Sequence, residues 1–89
     1  TEAQLMKLAQ NMGLEWEGFA IHLGFKKANV DIFKVDNPYN TKIQIVEMLI
    51  AWKERQGASA TVENLVKELE AFEIDEDKFE FFLESSELM

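Results

Sequence analysis

NPYNTKIQIVEMLIAWKERQG, residues 37–57, is the stretch on which the fold turns. Asn37-Pro38 stops any helix before it, because the proline ring pushes the preceding residue out of helical geometry. From about Thr41 to Gln56 neither Gly nor Pro interrupts the chain, and Gly57 then closes the segment. Ile43, Ile45, Val46, Met48, Leu49, Ile50, Ala51 and Trp52 leave little polar face in its middle. A helix apolar on several sides must be surrounded by others, so this one is predicted to be long and central.

Toward the N-terminus the punctuation continues. A first helix runs from about residue 2 to Asn11, with Leu5, Leu8 and Met12 at helical spacing and Gly13 able to end it. Trp16, Phe19, Ala20 and Leu23 share a face of a second helix, and Gly24 sits where a left-handed C-terminal residue is needed. Val30 and Phe33, three apart, mark a third helix ending at Asn37-Pro38. Toward the C-terminus, Thr61 is placed to cap a fifth helix with the stripe Val62, Leu65, Val66, Leu69 and Phe72. Asp75 is placed to cap a sixth, with Glu76 and Asp77 in its first turn and Phe79, Phe82 and Leu83 turned inward.

No segment alternates with the period of a half-buried strand, and the single glycines between helices imply tight connections. The fold class expected is all-α, a six-helix antiparallel bundle forming one domain over residues 1–89. Trp16 and Trp52 should be buried among Leu8, Leu23, Leu49, Leu65 and Leu69. The chain opens on Thr1 without a signal-like or membrane-spanning run, and reads as a domain cut from a longer, cytoplasmic or nuclear protein.

Composition narrows the function. With 47% hydrophobic residues the chain can fill a core, and with no Cys it has no disulfide, thiolate ligand or cysteine nucleophile. A net charge of −8 argues against general nucleic-acid binding, which needs clustered Lys and Arg. A helix-turn-helix reading is disfavoured for the same reason, since Asp31 and Asp36 dilute the lysines of the third helix.

Catalytic and metal chemistry find no constellation. His22 is the sole histidine and is read as an ordinary helix-face residue. Glu15 and Glu17 flank Trp16 and are read as solvent-exposed. Asp75-Glu76-Asp77 lacks the spacing of a calcium loop and is read as a helix start. No glycine loop cradles a phosphate, and Ser59, Ser85 and Ser86 have no base beside them in sequence. We therefore expect no enzyme activity, no metal and no cofactor.

The charge is unevenly spread. Lys26, Lys27, Lys34, Lys42, Lys53 and Arg55 outnumber Asp31, Asp36, Glu47 and Glu54 in the middle of the chain. From residue 73 onward Glu73, Asp75, Glu76, Asp77, Glu80, Glu84 and Glu87 face only Lys78. Two readings of this split stand side by side: a solvated acidic last helix, and a two-signed surface built for head-to-tail contact with related domains.

Trp16 followed by Leu23-Gly24, then Asn37-Pro38, Trp52, Gly57 and Ala60-Thr61, in this order, resemble the landmarks of the death-domain superfamily over nearly the whole chain. Within it, KLAQNMG (7–13), Glu15-Trp16-Glu17, Asn37-Pro38-Tyr39-Asn40, residues 44–57, LEAFEID (69–75) and Phe82-Leu83-Glu84 are similar to the death domains of CARD-bearing apoptotic adaptors. That resemblance implies homotypic binding to a PIDD-like death domain, with an initiator caspase recruited only through a separate CARD. Ankyrin death domains share several of these motifs, so a regulatory module of a membrane-skeleton protein stays open, with a helical DNA-binding domain more remote.

The resemblance also implies three asymmetric contacts. One joins the second- and third-helix surface to the first- and fourth-helix surface. A second joins Lys53 and Arg55 to the turn bearing Glu73, Asp75, Glu76 and Asp77. A third joins Lys26 and Lys27 to loops including Tyr39 and Asn40. Reversing the charge of Arg55 is expected to leave stability almost unchanged. Gly18, inside the second helix, implies a close approach there by a neighbouring element or a partner.

Overall fold

A computed structural model describes residues 2–82, so the expectations placed on Leu83, Glu84, Ser85, Ser86 and Glu87 lie outside the described residues. The helices are α1 (Glu2–Asn11), α2 (Trp16–His22), α3 (Lys27–Asp36), α4 (Thr41–Gln56) and α5 (Val62–Ala71). Short 3-10 turns occupy Gly57–Ser59 and Glu76–Lys78, and residues 80–82, called α6 below, are helical again. No strand occurs among the described residues, and the fold is the expected all-α six-helix bundle.

α4 is the central element. Its buried residues Gln44, Ile45, Val46, Met48, Leu49 and Trp52 spread around more than one face, and it packs most extensively on α1 and next on α3. Leu8, Trp16, Phe19, Leu69, Phe79 and Phe82 complete the deepest layer with almost no exposure. The two Trp are buried as expected, whereas Leu23 is only partly buried at the edge of the core.

The helix ends carry local signals. Asn40 Oδ1 accepts the Ile43 N–H (3.1 Å) and Thr61 Oγ1 accepts the Asn64 N–H (3.1 Å), each satisfying a first-turn donor with no carbonyl partner inside its helix. α2 closes in a Schellman motif: Gly24 takes φ 101°, and the Phe25 N–H returns to the Ala20 carbonyl (3.1 Å). Asn37 does more than stop α3. Its Nδ2 donates to Glu47 Oε2 (2.7 Å), while its carbonyl accepts from Gln44 Nε2 (2.9 Å), so the turn is tied to the second turn of α4.

Several expectations are corrected. Gly13 is not in the left-handed region; α1 ends with the Met12 N–H still bonded to Leu8 O (3.1 Å), and Gly13 O accepts the Trp16 N–H (3.1 Å). Asp75 caps a 3-10 turn, its Oδ1 accepting the Asp77 N–H (3.1 Å), so the last α-helix begins later than predicted. Glu15 and Glu17 are not freely solvated. Glu15 pairs with Lys78, and Glu17 with Lys34 at 3.4 Å, linking the start of α2 to the pre-α6 turn and to α3. Gly18 is explained within the chain, since a Cβ there would lie 2.9 Å from Phe72 Cζ.

The Glu15–Lys78 pair has a pH signature. Partial burial pushes the Glu15 carboxyl up, but hydrogen bonds from Lys78 and from the backbone of Gly13 and Glu15 outweigh it and hold it below its ordinary range. A carboxyl held low in the fold contributes stability that is complete above the ordinary glutamate pKa and is lost as pH falls through the folded value. Glu15→Gln is therefore expected to lower the melting temperature at neutral pH. The gap to the native sequence should narrow as pH falls below the ordinary glutamate range and close once the lowered Glu15 carboxyl is protonated, as thermal melts across a pH series would record.

Candidate docking surfaces

The basic residues do not form one patch at the end of α4. Lys53 lines a shallow depression with Gln4, Trp52, Thr61 and Phe82, on the α1 and α5 side. Arg55 faces the other way: its guanidinium lies over the Phe25 ring, 4.1 Å from the centroid. Phe25 links α2 to α3 and precedes Lys26 and Lys27 in the chain, so the fold brings Arg55 beside the segment that the resemblance assigned to a different contact. Lys26 is the N-cap of α3, and its N–H donates to Asn29 Oδ1 (2.9 Å). Among the described residues, none of Lys26, Lys27, Lys53 and Arg55 has a carboxylate within ion-pair distance.

The acidic surface is the turn between α5 and α6. Glu73, Asp75, Glu76 and Asp77 are all exposed. Lys78, the one cation in this stretch, is spent on Glu15, and Asn11 Nδ2 holds its carbonyl at 3.0 Å. The turn therefore presents carboxylates with no internal neutralising partner among the described residues. Its backbone follows a second Schellman motif, with Ile74 N–H returning to Leu69 O (3.0 Å) and Glu73 N–H to Glu70 O (3.0 Å). Here the left-handed position is held by Glu73, at φ 61°, where glycine is the residue without steric cost. Glu73→Gly is expected to raise stability by about 0.5–1 kcal/mol while weakening any contact that uses the turn. Urea denaturation and sedimentation of the same variant would check both halves.

The turn after α3 is the third place. Tyr39 has φ 66° and a relative exposure of 106%, so an aromatic ring stands fully in solvent on a left-handed backbone. Asn40 beside it spends its side-chain oxygen on capping α4. Sequence reasoning did not single out Ile21 on α2 or Ile32 and Val35 on α3, all exposed apolar residues on the surface implied for the first contact. Their signal was available: Ile32 and Val35 lie three apart on α3, off the face defined by Val30 and Phe33.

Nothing in this arrangement concentrates reactive groups. His22 Nε2 is 3.8 Å from Glu68 Oε1, and its ring packs against Phe19 and Phe72 with centroids 6.1 and 5.5 Å away. It is a helix-face residue that helps cover two aromatic rings. Among the described residues, no group of His, Cys, Asp and Glu is placed to hold a metal ion.

The described residues thus form a helical bundle with separate patches of opposite sign that lack ion-pair partners among them. The death-domain family model matches residues 2–77, and the chain belongs to the death-domain family. It is similar to human Ankyrin-1, with 34% identity over 97% of this chain and 5% of that protein. Mouse Ankyrin-1 is 29% identical over 96% of the chain and 4% of its own length. Mouse THO complex subunit 1 is 28% identical over 78% of the chain and 10% of its length. The chain thus spans a tenth or less of each of these relatives.

Proposed function

We propose that this death domain is a homotypic assembly module that joins its Arg55 side to the acidic turn of another death domain, and that it catalyses nothing. The observation that carries the reading is charge left over: among the described residues, Arg55, Lys26 and Lys27 have no carboxylate within ion-pair distance, and Glu73, Asp75, Glu76 and Asp77 no cation. Unlike patches in one chain make heterologous contacts, which propagate into rings or helical stacks. Each contact is small, so useful strength comes from several per subunit.

The biological setting we infer is a cytoplasmic apoptotic adaptor resembling RAIDD (CRADD), whose death domain binds a PIDD-like death domain in a caspase-activating scaffold. Stretches 7–13, 37–40, 44–57 and 69–75 support this. The similarity to Ankyrin-1 across 97% of the chain favours a second reading, a regulatory death domain of a membrane-skeleton protein. Mixing the purified domain with a PIDD death domain on a sizing column separates the two. Co-elution as an oligomer is expected of the adaptor, and separate elution at every ratio would leave the ankyrin-like reading.

A further inference from the structure

Resting on that reading, we propose that Phe25 is a positioning residue for docking. It holds the Arg55 guanidinium so that its N–H edge meets the carboxylates of the acidic turn of a second copy. Phe25 is fixed from several sides. It is 4% exposed, its N–H is bonded to Ala20 O, and its ring meets Phe33 edge-on with centroids 5.6 Å apart. Arg55 is exposed, and its guanidinium carbon sits 4.1 Å from the Phe25 centroid.

A guanidinium held over a ring makes no hydrogen bond to it, so its N–H fork is left to a carboxylate. The ring therefore removes rotamer freedom from a long side chain before any partner arrives, a cost that binding otherwise meets. Arg55 has no carboxylate of its own chain to satisfy that fork among the described residues. The acidic turn of a second copy has the complementary need, since Lys78 is engaged by Glu15 and no other cation among the described residues lies within ion-pair distance of Asp75, Glu76 or Asp77.

Two complementary full-length copies isolate this contact. One carries Glu76→Lys and Asp77→Lys and offers only Arg55; the other carries Arg55→Glu and offers only the acidic turn. Their association is read by fluorescence-detected sedimentation at low salt. Placing Arg55→Lys or Phe25→Leu in the first copy keeps its formal charge, yet either is expected to weaken association about three- to tenfold. NMR relaxation of Arg55 Nε in the free first copy is expected to report an ordered group with Phe25 and a mobile one with Leu at that position. Should Phe25→Leu disturb the fold, Arg55→Lys alone decides. Association unchanged by Arg55→Lys would overturn the positioning role and leave charge as the sole requirement. Failure of these two copies to associate even with Phe25 and Arg55 retained in the first would instead overturn the head-to-tail reading beneath it.

Discussion

Trp16→Ala is expected to cost about 3–5 kcal/mol, the usual loss when a large buried aromatic is truncated. Trp16 is 1% exposed and lies in the core cluster with Leu8, Phe19, Leu49 and Leu69, so its removal leaves a cavity rather than a relaxed surface. Small domains hold only about 5–15 kcal/mol in total, so much of the stability goes with this one side chain. For a chain of this length the melting temperature should fall by roughly 12 °C or more. Retention of the native melting temperature would mean that Trp16 is a surface residue and that α2 is docked on the wrong face.

The elements themselves were legible because their signals are local. Thr41 to Gln56 is bounded by Asn37-Pro38 and Gly57, and the structure places α4 on those residues. Gly24 and Gly57 take positive φ angles where their position after a helix called for them. The second Schellman motif was not legible. Glu73 occupies its left-handed position, and no glycine marks the spot.

Long-range features were hidden for a different reason. Nothing near Gly18 in sequence announces the Phe72 ring, and nothing near Glu15 announces Lys78, because both partners arrive from the far end of the chain. The family resemblance grouped Lys53 and Arg55 in one contact. Residues two apart on a helix point away from each other, and packing sends Lys53 toward α5 and Arg55 onto Phe25. The sign of each surface could be read in the sequence, but its composition depended on tertiary contacts.

Arg55→Glu should abolish assembly or weaken it severely, because it removes the fork and sets a carboxylate against the acidic turn. Truncating one member of a desolvated charge pair typically costs about 2–5 kcal/mol of binding, and reversal adds repulsion to that. The structure changes what is expected of stability. Arg55 covers Phe25, so the variant also loses a cation–π contact of about 0.5–1 kcal/mol. A drop of several degrees in melting temperature should accompany it, well short of unfolding.

Removing Asp75 and Asp77 together should weaken assembly from the other side. The Asp75 cap is lost in that variant, at about 1 kcal/mol, so its stability must be measured alongside.

Sedimentation of the domain with its death-domain partner, at low and high salt and with and without Arg55→Glu, tests head-to-tail charge docking most directly. Exposed pairs are screened beyond about 8–10 Å at ordinary ionic strength, so the native mixture should form large species at low salt and lose them as salt rises. The Arg55→Glu mixture should sediment as separate, folded domains at both. Assembly that ignores salt and survives Arg55→Glu would contradict the account and assign the contact to an apolar surface instead.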